Sequence, residues 1–295
     1  MGGGTPLTGG SRRLVFGLLR LSGIPLVLRA TRQRHRLTIL LFHQQSAELF
    51  ERTARTLKRR YNPVTLSQAL DALAAGTLSS LPERPLLITF DDGRASNADL
   101  IPLFSRYGIR PTVFITTRVV GTNRHFWWTH LWPEDVSRLQ SVPDDERVAF
   151  LQEQGADPCE EYDQPQALSL EQLRALAEVA DIQPHTRTHP LLTRCTPERA
   201  REEIAGSAAD IKALLDLESR IFAYPNGVFS DEIAATVRDS EIPFAVTTEP
   251  VLVDASSDPL RLGRIFIRDT AEASELIVFA SGLQGILKRV LGYTS

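Results

Sequence analysis

The chain has 295 residues, 42% hydrophobic and 23% charged, an ordinary globular composition long enough for one large domain with a full core. A net charge of only -3 argues against nucleic acid as the main partner. The two cysteines, Cys159 and Cys195, make no disulfide framework and no CxxC metal pair, and they suit a reducing compartment.

The charge is unevenly spread. Residues 1–36 hold seven arginines (12, 13, 20, 29, 32, 34 and 36) and no acid, while the remainder carries 26 Lys plus Arg against 36 Asp plus Glu. A basic arm on an acidic body reads either as a contact for an anionic surface such as a membrane or as a solvated tail. Met1–Gly10 is Gly-rich and expected to be disordered. Leu14–Leu28 is apolar but interrupted by Arg20, Ser22, Gly23 and Pro25, and its clean run Leu14–Leu19 falls far short of the ~20 residues a membrane span needs. No small-x-small cleavage site follows, so the segment reads as amphipathic rather than as a signal peptide. The expectation is a cytoplasmic protein, at the membrane surface if the arm docks there.

Leu37–Phe42 is an apolar run ending at His43, which predicts a buried strand with a histidine at its exit. Ala47–Arg60 has helical spacing. Thr65 opens a further helix through Leu66, Ala69, Leu70 and Leu73, with Gly76 just past its end. Leu86–Phe90 then runs into Asp91-Asp92-Gly93. A short buried strand that stops at a glycine turn leaves two carboxylates at its C-terminal end. Successive side chains there point in different directions, so one acid can hold a metal while the other moves protons. An Asx turn uses the same residues.

A helix over Asn97–Tyr107, stopped by Gly108, and a buried strand Thr112–Thr116 complete a βαβ unit with parallel strands. Residues 121–168 are irregular and predict a long loop insertion with one or two short helices. This stretch holds all three tryptophans. Phe126, Trp127 and Trp128 read equally as a stacking platform for a sugar ring and as a local hydrophobic plug. Ser169 caps the next helix, with Glu171 in its first turn. A short strand at Asp181–Gln183 leads to Pro184-His185-Thr186-Arg187-Thr188-His189-Pro190. Two histidines at i and i+4 can meet on one helical turn and share a metal. With one carboxylate they make a three-ligand site that keeps open positions, and Asp91 and Asp92 are the candidate acids.

Thr196 caps a long helix, Pro197–Leu217. A strand Arg220–Tyr224 ends at Pro225-Asn226-Gly227, and a helix Ser230–Asp239 follows. Strands Phe244–Thr248 and Leu262–Ile267 and a C-terminal helix Ala271–Leu291 close the chain. Parallel strands alternating with helices make either a barrel or an open sheet. No strand is followed by GxGxxG or GxxxxGKS, and polar residues leave several different strands, which suits a barrel with its site at the C-terminal face.

Thr89-Phe90-Asp91-Asp92-Gly93 together with His185-Thr186-x-x-His189 resembles the polysaccharide deacetylase family, the NodB-homology carbohydrate esterases, over roughly residues 37–267. The resemblance implies an α/β fold, a distorted (β/α)7 barrel, and a metal-dependent hydrolase that removes N-acetyl groups from sugars of a polysaccharide or glycoconjugate. It implies one divalent metal ion, zinc with cobalt or nickel as alternatives, held by Asp92, His185 and His189. It implies Asp91 as the general base. The family's third motif, Arg-x-Pro-Tyr-Gly, is similar to Ala223-Tyr224-Pro225-Asn226-Gly227. Tyr224 and Pro225 then fall at the substrate, and Trp127 and Trp128 are the candidate stacking residues beside them. The backbone N–H of Asn226 falls where the family donates to the acetyl oxygen. Ala223 replaces the arginine that orients the base, and Arg264 is the candidate to supply it from another strand. No histidine follows His189, where the family places its general acid. Leu40-Leu41-Phe42-His43 resembles the strand-one motif of the poly-N-acetylglucosamine deacetylase branch, which makes His43 the general acid. A first-strand histidine satisfied by a carbonyl is the plain alternative.

The predicted organisation is a basic arm (1–36), a deacetylase domain (37–270) with insertion 121–168, and a C-terminal helix (271–295). The arm and that helix are candidates for peripheral membrane contact. A glycan-binding member without hydrolytic activity is the alternative function. An aspartyl phosphatase ranks third, because it needs DxD spacing.

Overall fold

The computed structural model describes residues 9–156 and 159–290; the stretch 1–8 of the expected disordered segment and the end of the expected last helix lie outside the described residues. Eight strands run through the body: β1 Thr38–Phe42, β2 Asn62–Pro63, β3 Pro85–Phe90, β4 Thr112–Ile115, β5 Asp181–Pro184, β6 Ile221–Ala223, β7 Phe244–Val246 and β8 Ile265–Phe266. Every strand pair is parallel, in the order β5-β4-β3-β1-β8, with β2 beside β3 and with β6 pairing β7. The ring continues from β7 to β8 through Leu262, whose N–H donates to Ala245 O and whose O accepts from Thr247 N.

Between β5 and β6 the main-chain ladder is missing. The side-chain oxygen of Gln183 stands in for it, accepting from Arg220 N (2.8 Å) and Ile221 N (3.1 Å). Setting aside the two-residue β2, the result is a distorted (β/α)7 barrel. β1, β3, β4, β6 and β7 are short, largely apolar runs because helices cover them outside and the barrel interior buries them inside. Leu37, Ile39, Leu87, Phe114, Ile221, Val246 and Leu262 form the inner cluster. On the outer side Phe42 and Phe90 stack on each other, and Phe90 meets Phe50 and Phe104 of the covering helices.

Register positions the site. β1 and β3 pair from Thr38↔Leu86 to Phe42↔Phe90, and Asp91 N donates to Phe42 O, so both strands expire at the same level. His43 and the two acids therefore emerge side by side. β4 and β5 end together at Ile115↔Pro184, and His185 N donates to Ile115 O.

Several boundaries differ from the sequence reading for local reasons. The helix expected from Asn97 is a 3-10 segment, Ala95–Leu100, followed by a true helix, Ile101–Tyr107, with Pro102 in its first turn. Ser169 does cap its helix, with Glu171 in the first turn, and Gln172 closes a capping box. The expected strand Leu262–Ile267 is cut because its ends serve different neighbours: Leu262 bridges β7 and Ile265–Phe266 pairs β1. The C-terminal helix is two, Ala273–Ala280 and Leu283–Val290, with Gly282 at φ 77° between them. The insertion holds two helices, Pro133–Leu139 and Asp144–Glu153. The arm is also two helices, Gly9–Leu21 and Ile24–Thr31, seated on Ala273–Ala280 by Phe16 against Phe279. No single helix among the described residues is long and apolar enough to cross a membrane.

Candidate active site and metal centre

Asp91, Asp92, His185 and His189 converge at the exits of β3 and β5, all buried. Asp92 Oδ1 lies 3.9 Å from His185 Nε2 and 3.7 Å from His189 Nε2, and the three ligand atoms lie within 4.8 Å of one another. The histidine pair does not sit on a helical turn, as the i, i+4 spacing had implied. Residues 185–189 form an irregular loop with left-handed backbone at Thr186 (φ 66°) and His189 (φ 58°). Thr186 Oγ1 accepts from His189 N at 2.9 Å, and Glu203 accepts the N–H groups of Arg187 (2.7 Å) and Thr188 (2.8 Å). A buried glutamate thus fastens a loop whose conformation is costly by itself.

The donor set suits a divalent cation. His185 Nδ1 is 2.7 Å from Ala223 O, which can only accept, so Nδ1 carries the proton and Nε2 presents a lone pair to the cluster. Burial and the neighbouring His185 push the pKa of His189 down to about 3, so it is neutral at neutral pH, the form that ligates. Arg94 donates twice to Asp92 Oδ2 (3.1 and 2.9 Å), which leaves Oδ1 for the histidines. Burial pushes the Asp92 carboxyl up, but His189, His43 and Arg94 pull it down further, and it stays ionised.

Asp91 is gripped from the opposite side. Arg264, fully buried between Leu262 and β8, donates Nη1 to Oδ1 (2.7 Å) and Nη2 to Oδ2 (2.8 Å). The same guanidinium donates Nε to Thr247 O (3.0 Å) and Nη1 to Thr89 Oγ1 (3.2 Å), and it lies 5.3 Å from the centre of the Phe114 ring. Phe114 and Ala223 both belong to the inner cluster. Burial raises the Asp91 pKa, but Arg264 foremost, with the nearby histidines, lowers it below the usual carboxylate value.

A cleft of about 350 Å3 opens over these groups, lined by His43, Asp92, Arg94, His189, Asn226 and Asp269, with Trp127 and Trp128 on its wall. His43 is held by its main chain: its N–H donates to Asp269 Oδ1 (3.1 Å) and its carbonyl accepts from Asn97 Nδ2 (3.1 Å). Pro225 opens the 3-10 turn that carries Asn226, whose φ of 56° is left-handed. Trp127 lines the cleft with little exposed surface, because its ring packs on Arg147 and its indole N–H donates to His189 O (3.0 Å). Trp128 lies edge-on to His189 at 4.6 Å and stacks on Phe126.

Tyr224 is not brought to the cleft. It follows Ala223 on β6, and strand alternation turns it to the other face. There it stacks on Phe229, and its hydroxyl donates to Leu260 O (3.1 Å). Its expected place at the substrate is therefore corrected.

Sequence reasoning passed over Arg94, Asp269 and Glu203. Arg94 adjoins the Asp-Asp-Gly motif and Asp269 follows the last strand exit, so position alone could have marked those two. Glu203 sits mid-helix among other acids and gave no signal.

Comparison with known proteins agrees with this fold. The family model for polysaccharide deacetylase matches residues 79–245. The putative polysaccharide deacetylase YxkH of Bacillus subtilis (strain 168) is 24% identical over 170 residues, 57% of this chain and 46% of the relative, so the match spans about half the relative's length. Among solved structures, the Streptococcus pyogenes deacetylase PplD in complex with acetate superposes with a TM-score of 0.62 at 19% identity, covering 83% of this chain and 98% of that one. IcaB from Ammonifex degensii superposes with a TM-score of 0.61 at 20% identity, covering 83% and 97%. At those identities the structural likeness speaks for the fold, and the sequence model carries the kinship: the chain belongs to the polysaccharide deacetylase family.

Proposed function

We propose that this protein is a metal-dependent N-deacetylase acting on N-acetylated sugars of a glycan. The observation that carries the reading is the side-by-side placement of two buried carboxylates with separate partners: Asp92 faces the two histidines, and Asp91 is held by Arg264. Asp92, His185 and His189 are the residues that would hold the cation. Bound there, a divalent ion supplies polarisation of the acetyl carbonyl and lowers the pKa of water from 15.7 toward ~7.

The remaining work falls to the chain. Asp91 is ionised at neutral pH and accepts the proton of the attacking water. The Arg264 grip fixes its direction, because a base must lie within hydrogen-bond reach of the proton it takes. The same grip lowers the Asp91 pKa and makes it a weaker base, one suited to a water that a cation held by Asp92, His185 and His189 would acidify. Asn226 N–H, on the cleft wall, donates to the oxygen as negative charge develops. His43, held at the first-strand exit, returns a proton to the departing sugar amine. Trp127 and Trp128 shape the wall against which the sugar lies. Acetate, the molecule with which PplD forms its complex, is the product this chemistry releases.

A binding-only role, which Ala223 and the missing C-terminal histidine favour, fits less well because Arg264 pairs with Asp91 where an arginine at 223 would be expected to. The test is acetate release from N-acetylglucosamine oligomers with and without Zn2+, Co2+ or Ni2+. Metal-dependent release that is lost in Asp91→Asn and strongly reduced in His43→Ala is the expected result. Release indifferent to His43→Ala would remove His43 as the acid, and no release with any metal would favour binding alone.

A further inference from the structure

The arm buries one face and leaves an apolar one open. On the Gly9–Leu21 helix, Phe16 packs on Phe279 and Arg12 pairs with Glu275. On the opposite face Leu14, Leu18 and Leu21, at i, i+4 and i+7, are 66%, 61% and 81% exposed. After a 53° bend, the second helix continues the exposure with Leu26 and Val27. Leu283 of the last helix shares a cluster with Phe16, and Leu287 and Val290 of the same helix are exposed, Val290 at 76%.

Cations without acidic partners lie on the same segments, Arg20 also donating to Ser274 Oγ at 3.5 Å. Arg20, Arg32 and Arg289 take part in no ion pair among the described residues, whereas Arg12, Arg13, Arg34 and Arg36 are each paired with an acid of the body. An exposed apolar stripe on a segment that carries arginines without acidic partners and not one acid is complementary to an anionic lipid surface. A second copy of the chain fits less well, because a two-fold pairing of the arms would set like charges against each other. We infer that the two arm helices and the end of the last helix form a docking surface for an anionic bilayer, with the helices lying in the interface plane. Phe16, Pro25 and Arg29 are buried on the body, so the helices dock without leaving it. Nothing in this depends on the deacetylase reading, and Asp91→Asn is expected to dock like the wild type.

The experiment is flotation of the full chain with phosphatidylcholine vesicles and with vesicles of phosphatidylcholine and phosphatidylglycerol in equal parts. Three proteins are compared: wild type, Leu14→Gln/Leu18→Gln/Leu21→Gln, and Arg20→Gln/Arg32→Gln. Thermal unfolding and size-exclusion mass are measured for each. The expected result is flotation with the anionic vesicles only, reversed by salt, and lost in the leucine variant without change in its melting temperature. At roughly fivefold per cation, the arginine variant should bind on the order of twentyfold more weakly. No flotation of the wild type, or flotation untouched by the leucine changes, would overturn the inference. So would a dimer that the leucine changes convert to monomer, because the face would then belong to a second copy. Retention on vesicles through an alkaline carbonate wash would replace surface docking by insertion.

Discussion

Removing the Arg264 guanidinium tests the central claim about Asp91. Arg264→Met keeps an apolar stem of similar length and strips all four donated bonds: two to Asp91, one to Thr247 O and one to Thr89 Oγ1. What remains is a buried carboxylate without its cation. At an effective dielectric of ~20 and a charge separation of ~4 Å the lost attraction is about 4 kcal/mol. That agrees with the ~3–5 kcal/mol typical of breaking a buried pair by deleting one partner. The pH dependence separates this from simple loss of packing. In the wild type the Asp91 pKa is depressed, so its contribution is complete above the unfolded value of ~3.9 and is lost as pH falls through the folded pKa. In the variant burial acts without the guanidinium, the pKa rises, and the penalty of the buried charge is present at neutral pH and fades as acid protonates it. Denaturant unfolding of both proteins should therefore show a gap of about 3–5 kcal/mol near neutral pH that narrows toward about pH 4. The other carboxylates are common to both chains and cancel in the difference. A gap below ~1 kcal/mol near neutral pH, or one that does not change with pH, would refute the assignment of Arg264 as the ionic partner of Asp91.

Added Zn2+ at about 100 times its dissociation constant should stabilise the fold by ~2.7 kcal/mol, read as a rise in melting temperature that a chelator reverses. His189→Ala should abolish that rise, while Asp91→Asn should keep it and lose acetate release, which separates ligation from catalysis. Glu203→Gln takes the charge from the acceptor of Arg187 N, Thr188 N and Arg199 Nη2, and metal affinity by calorimetry should fall by roughly 10–100-fold as the loop between the histidines loosens; unchanged affinity would deny the loop-fastening role. Gly93 has φ +74°, and a Cβ there would lie 2.8 Å from Ile115 Cγ2, so Gly93→Ala should cost about 1–3 kcal/mol in denaturant unfolding and weaken metal binding next door at Asp92.

The barrel was legible because its signals are local. Leu37–Phe42 and Leu86–Phe90 are apolar runs too short for helices, and each ends on residues of a different kind: a histidine in one case and two acids in the other. Strand exits in a parallel barrel share one face, so the candidate residues could be placed together before any distance was known. The spacing of His185 and His189 pointed to two residues that the fold does bring together, but through the wrong conformation. Five residues can return to one point by a helical turn or by a loop with two left-handed residues, and periodicity does not separate the two. The ends of the chain resisted for a related reason. Gly282 breaks the last helix by a backbone angle, and the broken strand near Leu262 is set by which neighbours its two ends find.

Arg264 shows where such reading stops. An arginine one residue before a two-residue strand carries no local mark of being buried. What marks it is the substitution elsewhere. A family member that keeps its base aspartate buried must keep a cation beside it, because an unpaired buried carboxylate costs several kcal/mol. Ala223 lacks that cation on β6, so another residue lining the barrel interior has to supply it. A strand lining a barrel points every second side chain inward, and Leu262 and Arg264 are two apart, both among the buried residues. The replacement is thus constrained by charge balance and strand alternation together. The same two constraints explain why Tyr224, one residue on from Ala223, points away from the site while Ala223 O meets His185. With alanine at 223 on β6, the charge of Asp91 is balanced only because Arg264 is present, which predicts that the two positions are coupled. Restoring arginine at 223 while Arg264 remains should place two guanidinium groups in a space built for one and unfold the barrel before it improves the site.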